Sequence, residues 1–524
     1  MGFFSPALLA WLFISISFIS SAAANTVAKS PSVTILSTTT LGPDPQTVNR
    51  LNGESFQQDA LTSFNGYQYA VFWMADTGNA SVRHACVSRR ALSGQGSVNG
   101  NDTAGEWDTL MLMDYEQVDD DGHDIISLGI SHGDGTLHLS FDQHDNPLNY
   151  RVSVPGVATA PGNITWGPAI FGPVLNYLPG LESLDPNVYF INITYPRFLV
   201  IPSYVPQPAP SADLLLEMRV GRSGLGDDWL YRYVPAQGWE LTGRYLEGVN
   251  NNAYINGIDF DPKGNLQATW TYRDYVNDTG QDVAVEAGPN GPENNHDMDF
   301  ATSPDLGFTW YNTWGQPICN TSAQQPILPN SPGITVFSIP KYGGILNQEA
   351  QIIDSAGRMH VLNRENTTGS ELWYHYWRDM NNYWTRTAFP LNIPGDYNIT
   401  GTPTVIGKRG KLIALPPALS SDELSSASNT ENSQLLALLP SNAANSSALS
   451  LLRSTAAGGF VDWETVWEVE SGCGWEPLFD RERLIGGGRT TSDAGAGTGD
   501  GVLSLYLVNG TQVVVTDLDI SGLL

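Results

Sequence analysis

The chain has 524 residues and a net charge of −29, with no cluster of Lys and Arg, which excludes the basic surface that a nucleic acid or an anionic membrane demands. Gly (53), Pro (33), Trp (15) and Tyr (21) are plentiful, and no long stretch holds a helical period, so an all-β chain of short strands and tight turns is predicted. Three cysteines, Cys86, Cys319 and Cys473, permit one disulfide of open pairing; they supply neither a disulfide framework nor a metal motif.

The N-terminus is an apolar run closed by Ala22-Ala23-Ala24. It reads as a secretory signal peptide over 1–24, although the usual positive n-region is missing. That leaves 25–524 as a single domain with long loop insertions. Ten sequons, at Asn79, Asn101, Asn163, Asn192, Asn277, Asn320, Asn366, Asn398, Asn445 and Asn509, fit a secreted, extracellular, glycosylated monomer. No later segment is apolar enough to span a bilayer.

A weak repeat follows, a Gly-containing turn that opens an alternating strand: Asp134-Gly135, Asp261 to Gly264 and Asp354 to Gly357. Its irregular, blade-sized spacing predicts a β-propeller. Blades are expected near Tyr67–Arg90, His123–Val152, Val188–Tyr233, Tyr254–Trp310, Asn347–Trp384, Thr402–Leu452 and Val461–Leu518, the last closed by a strand at Ser32–Thr40. Ser420–Ser450 and Thr490–Gly501 read as long loops. The run Ser303-Pro-Asp305-Leu-Gly307-Phe-Thr309-Trp310 matches the Asp-box in full. In it the Asp caps a hairpin turn, the Gly takes a positive φ and the Trp packs between neighbouring sheets. The motif speaks for fold and only weakly for chemistry.

The candidate chemistry begins at the Asp134-Gly135 hairpin. His123 precedes its first strand and His144 follows its second, so both can meet at one end of one sheet, where loop-built sites lie. Histidine suits proton transfer near neutral pH; packed or surface histidines near turns are the plainer reading of that stretch alone. Further along, Tyr195 stands before a proline, Arg219 opens an Arg-x-Gly-x-Ser-Gly turn, Tyr254 leads into the next blade and Arg273 ends the strand after it. Taken singly, Tyr195 reads equally as a packed strand residue, and Arg219 as a surface partner of Glu217 or Asp228. Turn aspartates offer hard oxygen ligands for a structural Ca2+, but Asp119–Asp121 lacks EF-hand spacing and reads as a solvated acidic turn.

In this order, His123 and His144-Asp-Asn-Pro-Leu-Asn-Tyr, Thr-Tyr195-Pro-Arg-Phe, Arg219-x-Gly-x-Ser-Gly, Asn-x-Tyr254, Trp-Thr-Tyr-Arg273 and Asn295-His296-Asp297 before the Asp-box resemble the BNR-repeat polysaccharide lyases. These include the ulvan lyases and the fungal L-rhamnose-α-1,4-D-glucuronate lyases acting on gum arabic. The likeness covers His123 to Trp310 well, Asn347-Gln348-Glu349 to Trp384 loosely, and the last third hardly at all. It implies a seven-bladed β-propeller that cleaves a polysaccharide or oligosaccharide beside a uronic acid by β-elimination, with no cofactor required. By the same resemblance Arg219 and Arg273 hold the carboxylate. His144 and Tyr195 form a base and acid pair of open order, and His123 assists. Tyr254, His296, Asn347 and Gln348 contact the sugar.

Such chemistry needs an arginine fork for the carboxylate, and a tyrosine whose pKa neighbouring Arg is expected to lower. Two features depart from the family. Asp124 follows His123 where Asn is usual, and the Pro-rich Val205–Ala212 is inserted between Tyr195 and Arg219. Two alternatives stay open: a sialidase-like glycoside hydrolase, for which no arginine triad is visible by pattern, and a non-catalytic glycan-binding propeller.

Overall fold

The computed structural model describes residues 33–57, 59–92, 105–222, 225–248, 252–273, 294–369, 372–390, 408–416, 433–441, 446–485 and 500–524. Seven antiparallel sheets follow one another along the chain. Blade 1 runs Leu61–Phe64, Tyr67–Ala75, Arg83–Ala91 and Asp108–Gln117; blade 2 has three strands, Ile126–Ile130, Leu137–Phe141 and Tyr150–Val152. Blade 3 runs from Ile193–Val200 out to Gly238–Leu246, blade 4 from Ala253–Phe260 to an irregular outer edge, and blade 5 from Ala350–Ile353 to Trp384–Ala388. Blade 6 runs from Lys411–Ala414 to Glu464–Val469. Blade 7 joins Leu478–Phe479, Val502–Asn509 and Gln512–Asp519 to the N-terminal strand Thr34–Pro43, in the order of a ring closed by its own terminus. The first strands of the blades line a central channel, where Asn256, Ile352, Leu412 and Phe479 face one cavity. The propeller expected from the sequence is therefore what forms, and a circular array leaves few sheet edges open.

The repeat has a physical basis. Asp134, Asp261 and Asp354 each sit in the hairpin between the first and second strands of blades 2, 4 and 5, where a carboxylate oxygen accepts the backbone N–H two residues on. Gly135, Gly264 and Gly357 take the positive φ that closes each turn. In the Asp-box, Asp305 accepts from Thr309 N (2.8 Å) and Thr309 Oγ1 (2.7 Å). Trp310 is fully buried and stacks on Tyr245 of blade 3 at 4.9 Å, so the tryptophan does join two blades.

Several expected boundaries move. Glu464–Val469, expected in the last blade, is the outer strand of blade 6. The segment read as a loop at Ser420–Ser450 contains Gln434–Pro440, a strand whose Leu435 to Leu439 are buried; its Ser- and Asn-rich flanks masked an apolar run. The rest of that segment up to 432, residues 442–445, nearly all of Thr490–Gly501 and the 1–24 signal lie outside the described residues. Cys86, Cys319 and Cys473 are all buried free thiols in different blades or loops, so no disulfide forms among them; burial pushes each thiol up to about 12. Among the described residues no helix is long and apolar enough to cross a membrane.

Candidate active site

One mouth of the channel is built by the segments that lead into the first strands. Phe56 precedes blade 1 and His123 precedes blade 2. Tyr195 and Tyr254 stand at the start of blades 3 and 4, Asn347 and Gln348 precede blade 5, Arg409 precedes blade 6 and Glu476 precedes blade 7. Contacts run around this ring. Phe56 stacks on His123 (5.7 Å) and meets Tyr195 edge-on (5.1 Å), and Tyr195 meets Tyr254 at 6.1 Å. Arg273 lies over the Tyr254 ring (4.6 Å) and donates to Asn347 Oδ1 (3.0 Å). Arg409 donates through Nε to Asn347 O (2.8 Å) and pairs with Glu476 (3.0 Å).

His123 and His144 do come together, their rings stacked 3.8 Å apart. The meeting depends on a crossover. His144 opens a short strand, His144–Asn146, that leaves blade 2 and pairs with Thr194 at the start of blade 3. Asp121 binds the pair. Its Oδ1 lies 2.6 Å from His123 Nδ1 and its Oδ2 2.6 Å from His144 Nδ1. With both Nδ1 atoms engaged by one carboxylate, both Nε2 atoms are left for other partners. Burial opposes the charge on Asp121, but the two imidazole bonds outweigh it and hold its carboxyl far below the usual range. Burial also lowers the His123 pKa, with the charges of His144 and Arg219 adding to it against Asp121. His123 is therefore a neutral imidazole at neutral pH. Asp121 was missed from the sequence because the acidic run was read as solvated. Asp119 and Asp120 are indeed exposed, although Asp120 accepts the backbone N–H groups of Val48 (2.8 Å) and Asn49 (2.7 Å); Asp121 is the member of the run that turns inward.

Tyr195 adopts φ +59°, a left-handed conformation that costs a bulky residue about 1–3 kcal/mol and persists only where the surroundings enforce it. They do so here: the pairing with Leu214–Val220 skips between Thr194 and Arg197. The bulge turns the phenol ring into the mouth, where it is 7% exposed. Its pKa is raised, not lowered as expected. Burial dominates, Tyr254 adds to it, and the charges of Arg219, Arg273 and Arg409 do not compensate.

Arg219 is buried. Its Nη2 donates to Asp145 Oδ1 (3.0 Å) and Thr194 Oγ1 (2.9 Å), and its guanidinium carbon lies 5.1 Å from the Tyr195 ring centre. It is no surface partner of Glu217, which instead pairs with Arg197 (3.2 Å). Arg219 lies over Tyr195, Arg273 over Tyr254 and Arg409 6.0 Å from the Phe56 ring, so three arginines border the mouth in a way that no local pattern displayed. Asn347 and Gln348 are buried, bonded to each other at 3.1 Å, and Asn347 orients Arg273. His296 stands on the third strand of blade 4, its Nδ1 2.9 Å from Asp297 Oδ2, next to Asn295, which accepts from Arg273 Nε (2.8 Å).

Two groups bear on metal binding. Asp121, His123 and His144 lie close enough to share an ion, although Asp121 already accepts from both imidazoles. Below them, Asp124 and Asp142 are buried, and each keeps one carboxylate oxygen without a hydrogen-bond partner. Burial, then Asp142, Asp121 and Asp119, push Asp124 up to about 8. Carboxylate oxygens are hard ligands of the kind that Ca2+ takes.

The profile of the BNR repeat-containing family matches residues 67–390. Among solved structures, the chain is similar to the polysaccharide lyase Uly1 (15% identity, 90% of this chain and 91% of that one, TM-score 0.59). It is also similar to a PL25 ulvan lyase bound to -[GlcA(1-4)Rha3S]- (14% identity, 91% and 97%, TM-score 0.55). At such identities these structures speak for the fold. No curated protein matches the chain by sequence. A profile match across more than half of the chain, on a propeller with its Asp-box in place, makes this chain a member of the BNR repeat-containing family.

Proposed function

We propose that this protein is a secreted polysaccharide lyase that cleaves beside a glucuronate by β-elimination, with the rhamnosyl-glucuronate linkages of gum arabic and arabinogalactan-type glycans as its substrate class. One observation carries the reading. A carboxylate-anchored histidine pair, a proton-retaining tyrosine and a buried arginine share one channel mouth. The likeness to ulvan lyases supports the class, and four sequon asparagines, Asn79, Asn163, Asn320 and Asn509, are exposed as glycosylation requires.

The roles follow from the protonation states. Arg219 and Arg273 bind the uronate carboxylate and stabilise the charge that builds on it when C5 loses its proton. An imidazole Nε2 of the His123–His144 pair takes that proton. The C4–O bond breaks as the C4–C5 double bond forms, and Tyr195, which keeps its proton, donates it to the departing glycosidic oxygen. For the order left open by the sequence, the reading supported here is histidine as base and tyrosine as acid. Ultraviolet absorbance during incubation with gum arabic, arabinogalactan and ulvan tests this, because the conjugated product absorbs. New reducing ends without absorbance would favour the second reading, a sialidase-like hydrolase, which the three arginines bordering the mouth keep in contention.

Asp121→Asn checks the histidine unit. An amide cannot accept from both Nδ1 atoms, so kcat is expected to fall by about 10- to 100-fold. The carboxylate favours protonated imidazole, so its loss lowers the imidazole pKa and moves the acidic limb of the pH–kcat profile to lower pH. An unmoved limb would assign Asp121 a purely structural part. We also propose that Asp124 and Asp142 hold a structural Ca2+. Adding Ca2+ to chelator-treated protein should raise Tm by several degrees, and the double Asn variant should lose that response.

A further inference from the structure

The family match ends at residue 390, yet the mouth is completed from beyond it. Arg409, Trp475 and Glu476 come from the last two blades, and Glu54 and Phe56 precede residue 67. Trp475 stands out among them. The largest buried tryptophans, Trp73, Trp239, Trp270, Trp310 and Trp373, are almost wholly enclosed, whereas Trp475 is half-buried in the segment that enters blade 7. By blade order that segment lies across the ring from Tyr254.

The indole is nevertheless fixed. Its Nε1 donates to Glu54 Oε1 at 2.7 Å, and Glu54 is buried. Glu54 in turn lies under the loop that carries Asp121 and His123: a Cβ at Gly122 would come within 3.4 Å of that same oxygen. On the other side, Glu476 follows Trp475 directly and accepts from Arg409 N (2.8 Å) and Ser55 N (2.5 Å). The indole edge is therefore tied to the base of the site, while part of the ring remains open to solvent. A pre-positioned aromatic face suits the C–H face of a pyranose, because stacking buries apolar area without demanding directional bonds.

We propose that Trp475, locked by Glu54, is the stacking platform for the pyranose next to the uronate. The proposal rests on the reading of this mouth as a site for uronate glycans. It places part of the sugar binding in the last third of the chain, where the resemblance to known lyases is weakest.

The test compares Trp475→Ala, Trp475→Leu and Trp475→Phe with the wild type on unsulfated and sulfated rhamnosyl-glucuronate oligosaccharides. Initial rates follow absorbance, and affinity follows calorimetry in a Tyr195→Phe background. Trp475→Ala and Trp475→Leu should raise KM and Kd by about tenfold, equivalent to the loss of one stacking contact. Their kcat should stay within about threefold, and Trp475→Phe should recover most of the affinity. Equal losses on both oligosaccharides would make the stacked face common to both sugars, as proposed; a loss confined to the sulfated one would overturn it. Unchanged Kd in folded variants overturns it too, as does a collapse of kcat together with Tm, which marks a structural tryptophan. If the wild type yields no absorbing product, the lyase reading fails, and Trp475 is then judged by calorimetry alone. Absence of any binding to either oligosaccharide overturns both.

Discussion

Replacing Arg219 by alanine is expected to lower kcat/KM on a uronate glycan by about 10²- to 10³-fold, the range for removing one donor from a developing oxyanion. Three losses combine. The carboxylate loses a charge-assisted fork. The enolate-like species loses a positive charge held in a buried site, where it counts for more than in water. Tyr195 loses the strongest of the arginine charges that restrain its pKa and becomes a weaker acid. Asp145, now without its 3.0 Å partner, adds a local cost to stability. Lysine in its place keeps the charge but not the fork, so Arg219→Lys should fall between the two. Initial rates by absorbance check this, with Tm as the control for folding. A variant with near-native kcat/KM would shift the carboxylate to Arg273 and Arg409 and remove Arg219 from the chemistry.

What the sequence revealed was what local physics determines. The Asp134-Gly135 hairpin, the Asp-box and the closing N-terminal strand are short-range patterns, and each forms as its residues require. Within the sixth blade, expected near Thr402–Leu452, the strand Gln434–Pro440 was obscured because Leu435 to Leu439 sit between Ser- and Asn-rich flanks that outvoted them. In the site, Tyr195 and Arg219 were legible as members of paired strands, and the two histidines as neighbours of one hairpin. Phe56, Asp121 and Arg409 were not, because a propeller gathers one entry segment from every blade. The separation between Phe56 and Arg409, whose guanidinium lies 6.0 Å from the phenyl ring, erases any local spacing. Nor does a sequence state burial. The arginines around Tyr195 suggested a lowered pKa, but desolvation is the larger effect and reverses the sign.

That reversal gives the second large effect its direction. Tyr195→Phe removes one oxygen from a ring whose packing against Phe56, His123 and Tyr254 does not need it, so Tm and oligosaccharide Kd are expected to change little. Turnover should fall by about 10²- to 10⁴-fold, the usual contribution of a positioned general acid, and the loss should appear in kcat with KM nearly unchanged. The dependence on the leaving group is the sharper readout. A phenol that protonates the departing oxygen matters most when that oxygen is a poor leaving group. A glucuronate bearing an activated aryl ether on O4, whose oxygen departs from C4 without a proton, should therefore recover much of the lost rate. If Tyr195 were the base, C5 proton removal would be impaired for every leaving group and the activated substrate would gain nothing. The wild-type pH profile discriminates in the same sense. With Tyr195 raised and protonated as the acid, activity holds through neutral pH and is limited on the acidic side by imidazole protonation. A tyrosine base would make activity climb with pH well above neutrality.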